Sequence, residues 1–278
     1  MKTGRPARLL AACIAATTLA LGAVACGDDE ETQGMTFTIT QQGKTSALSG
    51  PSSAETGLAE ITLENEGEEE GDLQLIRVEG DHSPEEVIEG FERAGSGKAF
   101  PNWFFGGGGV GTTGPGESRT VTQVLRPGTY YALDTEGGRP DPKSIPAIEV
   151  TGEESDETVE GDATVSAFEY GFKAESLPSG ETEIAFDNAG AQPHHLLAAP
   201  LIGDSTAEDV ERYFKTEKGK APVEEKETHA TAVIEGGEGQ LVTLDLEPGR
   251  YALFCFISDR QGSPPHALQG MVDEVEVE

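Results

Sequence analysis

The chain has 278 residues, with 51 Asp and Glu against 19 Lys and Arg, a formal net charge of −32. A surface this acidic repels nucleic acid, so none is expected as a partner. The 36 glycines, 16 prolines and 36% apolar content describe a turn-rich β protein rather than a helical bundle. The length allows about two domains. Three cysteines, at positions 13, 26 and 255, are too few for a disulfide scaffold.

The N-terminus reads as an address. Lys2, Arg5 and Arg8 precede an apolar run from Leu9 to Val24, the pattern of a secretory signal peptide over residues 1–25. Its end, Ala23-Val24-Ala25-Cys26-Gly27, resembles the lipobox of bacterial lipoproteins. That resemblance implies cleavage before Cys26 and a diacylglyceryl group on its sulfur. The protein is then extracytoplasmic, lipid-anchored to the bacterial cell membrane. Residues 26–34 are polar and acidic, as suits a solvated tether. Loss of residues 1–25 leaves 16 basic against 51 acidic residues, a net charge of −35.

The body is one unit written twice. Asn65-Glu66-Gly67 recurs as Asn188-Ala189-Gly190, and Val87 with Phe91 recurs as Val210 with Phe214, both 123 residues on. Pro127-Gly128-Thr129-Tyr130 recurs as Pro248-Gly249-Arg250-Tyr251, 121 residues on. Ordered landmarks at a near-constant offset mark a repeat. The units are 35–151 and 162–278, and the acidic, aperiodic stretch 152–161 is the linker between them.

Within each unit, Ile61 with Leu63, Ile184 with Phe186, and Val242 with Leu244 and Leu246 alternate with polar neighbours, which predicts half-buried strands. One short helix is expected per unit. Ser83-Pro84-Glu85-Glu86 forms a capping box before Val87 and Phe91. Ser205 or Thr206 caps the second helix, which carries Val210 and Phe214. The expected fold is all-β: two tandem sandwiches, each with one short helix. The run Gly106 to Gly116 lacks the Gly-Lys-Ser/Thr ending of a phosphate loop and is expected to be a flexible hairpin connection. Trp103-Phe104-Phe105 beside it reads as edge packing. The acidic runs Glu64–Asp72 and Glu153–Glu160 read as solvated surface, and His82 and His229 as surface residues without function.

Chemistry concentrates in the second unit, where His194, Cys255, His266 and Met271 all have metal-ligand capacity. The last three fall within one short C-terminal stretch. A thiolate and two imidazoles with a weak thioether suit an ion cycling between Cu(I) and Cu(II), because soft and borderline donors satisfy both states.

Three segments resemble the cupredoxins, the plastocyanin-like blue-copper proteins. Asn188-Ala189-Gly190-Ala191-Gln192-Pro193-His194 is similar to the stretch that delivers the first histidine. Pro248 to Cys255 resembles the strand carrying the copper cysteine, and His266 to Val272 the closing loop. The resemblance implies two tandem cupredoxin-like Greek-key β-sandwiches with one copper ion in the second. His194, Cys255 and His266 would be equatorial ligands and Met271 axial. Two departures stand out. Ten residues separate Cys255 from His266, longer than in small blue-copper proteins, although the blue-copper domain of copper nitrite reductases accommodates a longer loop. His195 occupies a place usually held by an asparagine, so it is either a tie between loops or an alternative metal ligand to His194.

The first unit is an internal control. Asp134 falls opposite Cys255, and Gly71-Asp72 opposite the histidine pair, so that unit has the scaffold and no ligands. The expected function is electron transfer or copper handling, with a redox or copper-delivery protein as partner. With Met271 as axial ligand no metal position stays open to substrate, so the chain is not expected to be an enzyme. The alternative is a metal-free β-sandwich interaction module at the cell surface, with Cys255 a buried and inert hydrophobe.

Overall fold

In the computed structural model, which describes residues 32–42, 45–136 and 140–278, period-two alternation has become strands buried on one face. The signal peptide, the lipobox with Cys26, and tether residues 26–31 lie outside the described residues. Among the described residues no helix is long and apolar enough to cross a membrane.

The first half runs β1 (Gln33–Gln42), β2 (Thr45–Ser49), β3 (Ser53–Glu55), β4 (Gly57–Asn65), β5 (Gly71–Val78), α1 (Pro84–Gly95), β6 (Phe104–Thr113), β7 (Ser118–Leu125), β8 (Gly128–Leu133) and β9 (Ala147–Thr151). The second runs β10 (Ala163–Phe168), β11 (Gly171–Ala174), β12 (Gly180–Asn188), β13 (Leu197–Pro200), α2 (Ala207–Thr216), β14 (His229–Ala230), β15 (Gly239–Leu246), β16 (Gly249–Phe254) and β17 (Val272–Val277). Apart from the short β3, which has no counterpart strand, the halves repeat one another. Each opens with a strand that pairs parallel to a later strand of its own half, β1 on β4 and β10 on β12.

Three sheets form among the described residues. One, of eight strands in the order β11-β10-β12-β15-β7-β4-β1-β2, runs through both halves. The others are β3-β9-β8-β5-β6 in the first half and β14-β13-β16-β17 in the second. The shared sheet closes through β7 and β15, each eight residues long and 121 apart in sequence. They pair antiparallel with Val121 opposite Val242, themselves repeat equivalents. The two copies thus meet about a local two-fold axis, and each satisfies the other's open edge. Residues 32–278 accordingly form one compact unit.

Each half is a sandwich. Phe37, Ile61 and Leu63 of the shared sheet and Leu73, Leu75 and Ile148 of the five-stranded sheet are buried in one core. Ile184, Phe186 and Val242 with Leu253, Cys255 and Val275 extend that same core into the second half. The helices seal the outer faces. α1 has the expected capping box, Ser83 and Glu86 each accepting the other's backbone N–H, and Val87 packs with Ile76, Val78 and Phe104. Thr206, not Ser205, caps α2, whose Val210 packs with Phe254, Ala267 and Val272. This second cluster backs directly onto the segment from Cys255 to Met271.

The repeated landmarks are hydrogen-bonding devices. Asn65 Nδ2 donates to Glu69 O at 2.9 Å and Thr113 O at 2.8 Å, while its Oδ1 accepts from Gly67 N at 2.9 Å. Asn188 does the same for Gln192 O at 2.9 Å, Ile234 O at 3.1 Å and Gly190 N at 3.1 Å. Tyr130 Oη accepts from Arg126 N at 3.1 Å, and Tyr251 Oη from Glu247 N at 3.2 Å. Each side chain satisfies backbone groups of a loop that has no ladder partner.

The glycine run departs from expectation. Rather than a flexible connection, Phe104–Thr113 is strand β6, and Gly106 to Gly109 are buried. It lies between the halves, with Gly108 N donating to Val233 O at 2.9 Å and Gly106 N to Glu235 Oε1 at 3.0 Å. A side chain has no room there. A Cβ on Gly109 would stand 2.0 Å from Leu73 O, and one on Gly111 1.8 Å from Ala230 O. The glycines permit close backbone approach. The aromatic triplet also divides its work: Trp103 stacks on His82 at 3.7 Å, Phe104 joins the α1 core, and Phe105 lies beneath Arg77 and Arg260. His82 is therefore packed rather than free at the surface.

Candidate metal centre

His194 sits in the loop after β12, which Asn188 clamps. Its backbone is fixed by reciprocal bonds to Ile234, N to O at 3.0 Å and O to N at 2.9 Å. Cys255 is the residue after β16. His266 opens a 3₁₀ turn, His266–Gln269, and Met271 immediately precedes β17. Gly270, in the left-handed region at φ 106°, closes the turn, and Met271 N donates back to His266 O at 3.0 Å.

The fold brings three of these side chains together. His266 Nδ1 stands 3.6 Å from Cys255 Sγ and 3.1 Å from His194 Nδ1. All three ligand atoms lie within 4.8 Å of one another, and all three residues are fully buried. Two nitrogens each about 2.0 Å from one ion at a near-tetrahedral angle would be about 3.3 Å apart, and a nitrogen and a sulfur about 3.5 Å. The two separations from His266 Nδ1 match a shared ion. Met271 is fully buried in the same core cluster as Cys255. Among the described residues this is the one such group of metal-binding side chains.

The electrostatics agree with that donor set. Burial lowers the pKa of His194 to about 4, with His266 adding to the effect. Burial lowers His266 as well, against the raising influence of Asp259. Both rings are neutral at pH 7, as ligands must be. Burial pushes the Cys255 thiol up to about 12, so a thiolate there requires a cation beside it. Outer partners orient the rings. His266 Nε2 donates to Asp259 Oδ1 at 3.2 Å, which leaves Nδ1 with its lone pair facing the site. Tyr170 Oη in turn donates to Asp259 at 3.0 Å, and its ring lies 5.2 Å from that of His266. His194 Nε2 is buried without a hydrogen-bond partner, 3.9 Å from Glu169 Oε1. A pocket of two neutral imidazoles and one thiol, dry and held from outside, fits one copper ion.

His195 is a tie. Its Nε2 accepts from Phe256 N at 2.9 Å, and it is outside the three-residue group. Loss of surrounding water, then the neighbouring His266 and His194, lower its pKa to about 3, which keeps it an acceptor. The first half supports this assignment. There Asp72 Oδ1 accepts from Thr135 N at 2.5 Å, and the two positions are the repeat equivalents of His195 and Phe256. Asp72, expected in a solvated acidic run, is thus a structural acceptor, and burial raises its pKa to about 7. Gly71 and Asp134 occupy the places of His194 and Cys255.

The connection from β16 to β17 is six residues longer than its counterpart from β8 to β9, judged from the pairs Gly249 with Val277 and Gly128 with Val150. That extra length carries His266. Sequence reasoning missed Asp259, Tyr170, Glu169 and Arg260. Tyr170 is separated from Asp259 by 89 residues, and no periodicity or spacing joins them.

No protein-family profile matches the sequence, and no curated protein does. Among solved structures, the chain is similar to a dithionite-reduced auracyanin from the photosynthetic bacterium Roseiflexus castenholzii, at 19% identity and a TM-score of 0.29, over 41% of this chain and 94% of that one. It is similar to a copper nitrite reductase from Nitrosomonas europaea at 14% identity and a TM-score of 0.25, over 89% of this chain and 94% of that one. A blue copper oxidase from the same organism shares 11% identity at a TM-score of 0.25, over 89% and 86% of the respective chains. A reductase and an oxidase stand among these neighbours, so the expectation that the chain is not an enzyme is corrected: catalysis is not excluded.

Proposed function

We propose that the protein is a lipid-anchored, extracytoplasmic copper protein that transfers single electrons or handles copper. His194, Cys255 and His266 hold one ion, with Met271 as the weak axial donor. One observation carries this reading: two imidazole Nδ1 atoms and one thiol converge within 4.8 Å in a fully buried pocket. Copper bound there supplies one-electron exchange between two oxidation states. The chain's own residues fix the donors and exclude water. Asp259 holds the His266 ring, Asn188 and Ile234 hold the His194 loop, and His195 fastens that loop to the residue after Cys255. A rigid donor set keeps reorganisation small, which suits electron transfer. The partner is then a redox or copper-delivery protein.

The test is copper titration of the soluble form under oxidising conditions. One equivalent should be retained through desalting, with a thiolate-to-Cu(II) absorption band near ~600 nm. Protein that emerges colourless and copper-free would establish the second reading, a metal-free interaction module. The place of Cys255, fully buried in the apolar core cluster with Met271, favours that reading. The anchor is tested separately by mass spectrometry of the mature N-terminus, which should show cleavage before Cys26 and a diacylglyceryl mass on it. An unmodified Cys26 would remove the lipoprotein assignment.

A further inference from the structure

The half without ligands has no evident task, yet the metal loop is built against it. Arg260 lies in the long connection that carries Asp259 and His266, and its contacts radiate to both halves. Its backbone N donates to Gln192 Oε1 at 2.8 Å, in the loop that carries His194. Its carbonyl accepts from Phe100 N of the first half at 2.8 Å. The guanidinium donates to Glu235 Oε1 at 2.8 Å and to Phe104 O at 3.0 Å, and lies 4.5 Å from the centre of the Phe105 ring. Glu235 Oε1 also accepts from Gly106 N of the first half, and its neighbour Ile234 fixes the backbone of His194. One arginine therefore joins the His266 loop, the His194 loop and the α1–β6 segment of the first half.

We propose that the ligand-free half is the clamp of the metal site, with Arg260 as its positioning residue: the α1–β6 segment receives Arg260 and so sets the spacing between His194 and His266. The physical reason is loop length. Inside the β16–β17 connection, His266 N and Ala267 N bond back to Ile257 O and Cys255 O at 2.8 and 2.7 Å, which fixes its base, while the outer part around Arg260 is supported by the first half. A long loop explores many closures unless an external surface selects one. The guanidinium presents five N–H donors in a rigid planar fork, where an ammonium has three on a flexible stem, so it suits a junction of several segments. In the first half the shorter β8–β9 connection carries no ligand. The inference rests on His194 and His266 being the metal ligands, and its test is arranged to separate the two.

The experiment compares the full metal-free chain with Arg260→Met and Glu235→Gln by amide hydrogen exchange, with Arg126→Met as control. Arg126 pairs with Glu238 across the halves at 3.3 Å and donates to Gly237 O, contacts on the 235–238 turn rather than on the 257–269 loop. Arg260→Met should accelerate exchange in residues 257–269 by at least tenfold while β16 and β17 keep their protection, and Glu235→Gln should do so to a lesser degree. Arg126→Met should leave that segment unchanged. In the copper-loaded proteins, Arg260→Met should release the ion to a chelator about 10- to 100-fold faster, as loss of an outer-sphere positioning group does, and shift the charge-transfer band. Exchange within twofold of wild type in both Arg260→Met and Glu235→Gln would overturn the clamp. So would an equal acceleration in Arg126→Met, which would mark general loosening. If Arg260→Met fails to fold, the Glu235→Gln comparison decides. Should the wild type bind no copper, the copper reading fails on its own, and the exchange data still decide whether the first half holds the loop.

Discussion

Cys255→Ser is expected to abolish the absorption band near ~600 nm and to weaken copper retention by more than about 100-fold. The sulfur is the one soft, anionic donor that the pocket offers. A serine hydroxyl is harder, and it does not ionise in a site that already pushes a thiol to about 12. The two imidazoles remain and hold Cu(II) weakly, without the charge-transfer colour. The fold should survive, because serine is close in size and Cys255 forms no disulfide. Its hydroxyl, on a shorter bond than the sulfur, reaches His266 Nδ1 after a small shift of the ring, which stands 3.6 Å from the present sulfur. The metal-free variant should therefore melt within a few degrees of wild type. Optical titration alongside thermal melting checks both statements. An unchanged band in the variant would show that the cysteine is not a ligand.

The second large effect lies far from the metal. Gly109→Ala should destabilise the protein by about 3 kcal/mol or more. For a unit of this size that corresponds to a fall in Tm of at least about 6 °C. Gly109 has φ +125°, a region L residues avoid, and its Cβ would meet Leu73 O at 2.0 Å. Conformation and space therefore both oppose a side chain. Gly116→Ala isolates the first term, since Gly116 has φ +74° with nothing within 4 Å of a Cβ. It should cost only about 1–2 kcal/mol. Equal melting temperatures for the two variants would mean that β6 yields at little cost and is not closely packed on β5.

The structure bears out the sandwich architecture read from alternation at Ile61, Leu63, Ile184 and Phe186. These positions repeat at the period of a strand, so one face is apolar whatever it packs against. The helices were legible for a similar reason: Ser83 with Glu86, and Thr206 with Val210, are local signals that act within one turn. The His194, Cys255 and His266 set was legible because the residue types are rare here and each stands in a segment that joins two strands. The glycine run was misread because flexibility and close packing look alike in sequence. Only the carbonyls of Leu73 and Ala230, distant along the chain, distinguish them.

The sequence by itself determined the repeat, the strands read from alternation, the two helices and the candidate His–Cys–His set, because each depends on local periodicity or on residue chemistry. The tertiary structure alone decided that β7 pairs with β15 to make one sheet from two halves. It alone decided that His194 faces the pocket while His195 ties the loop, and that Asp259 and Arg260 stand behind the cluster of His194, Cys255 and His266. Those outcomes depend on contacts between segments separated by tens of residues, where folding sets the distance and spacing along the chain carries no information about it.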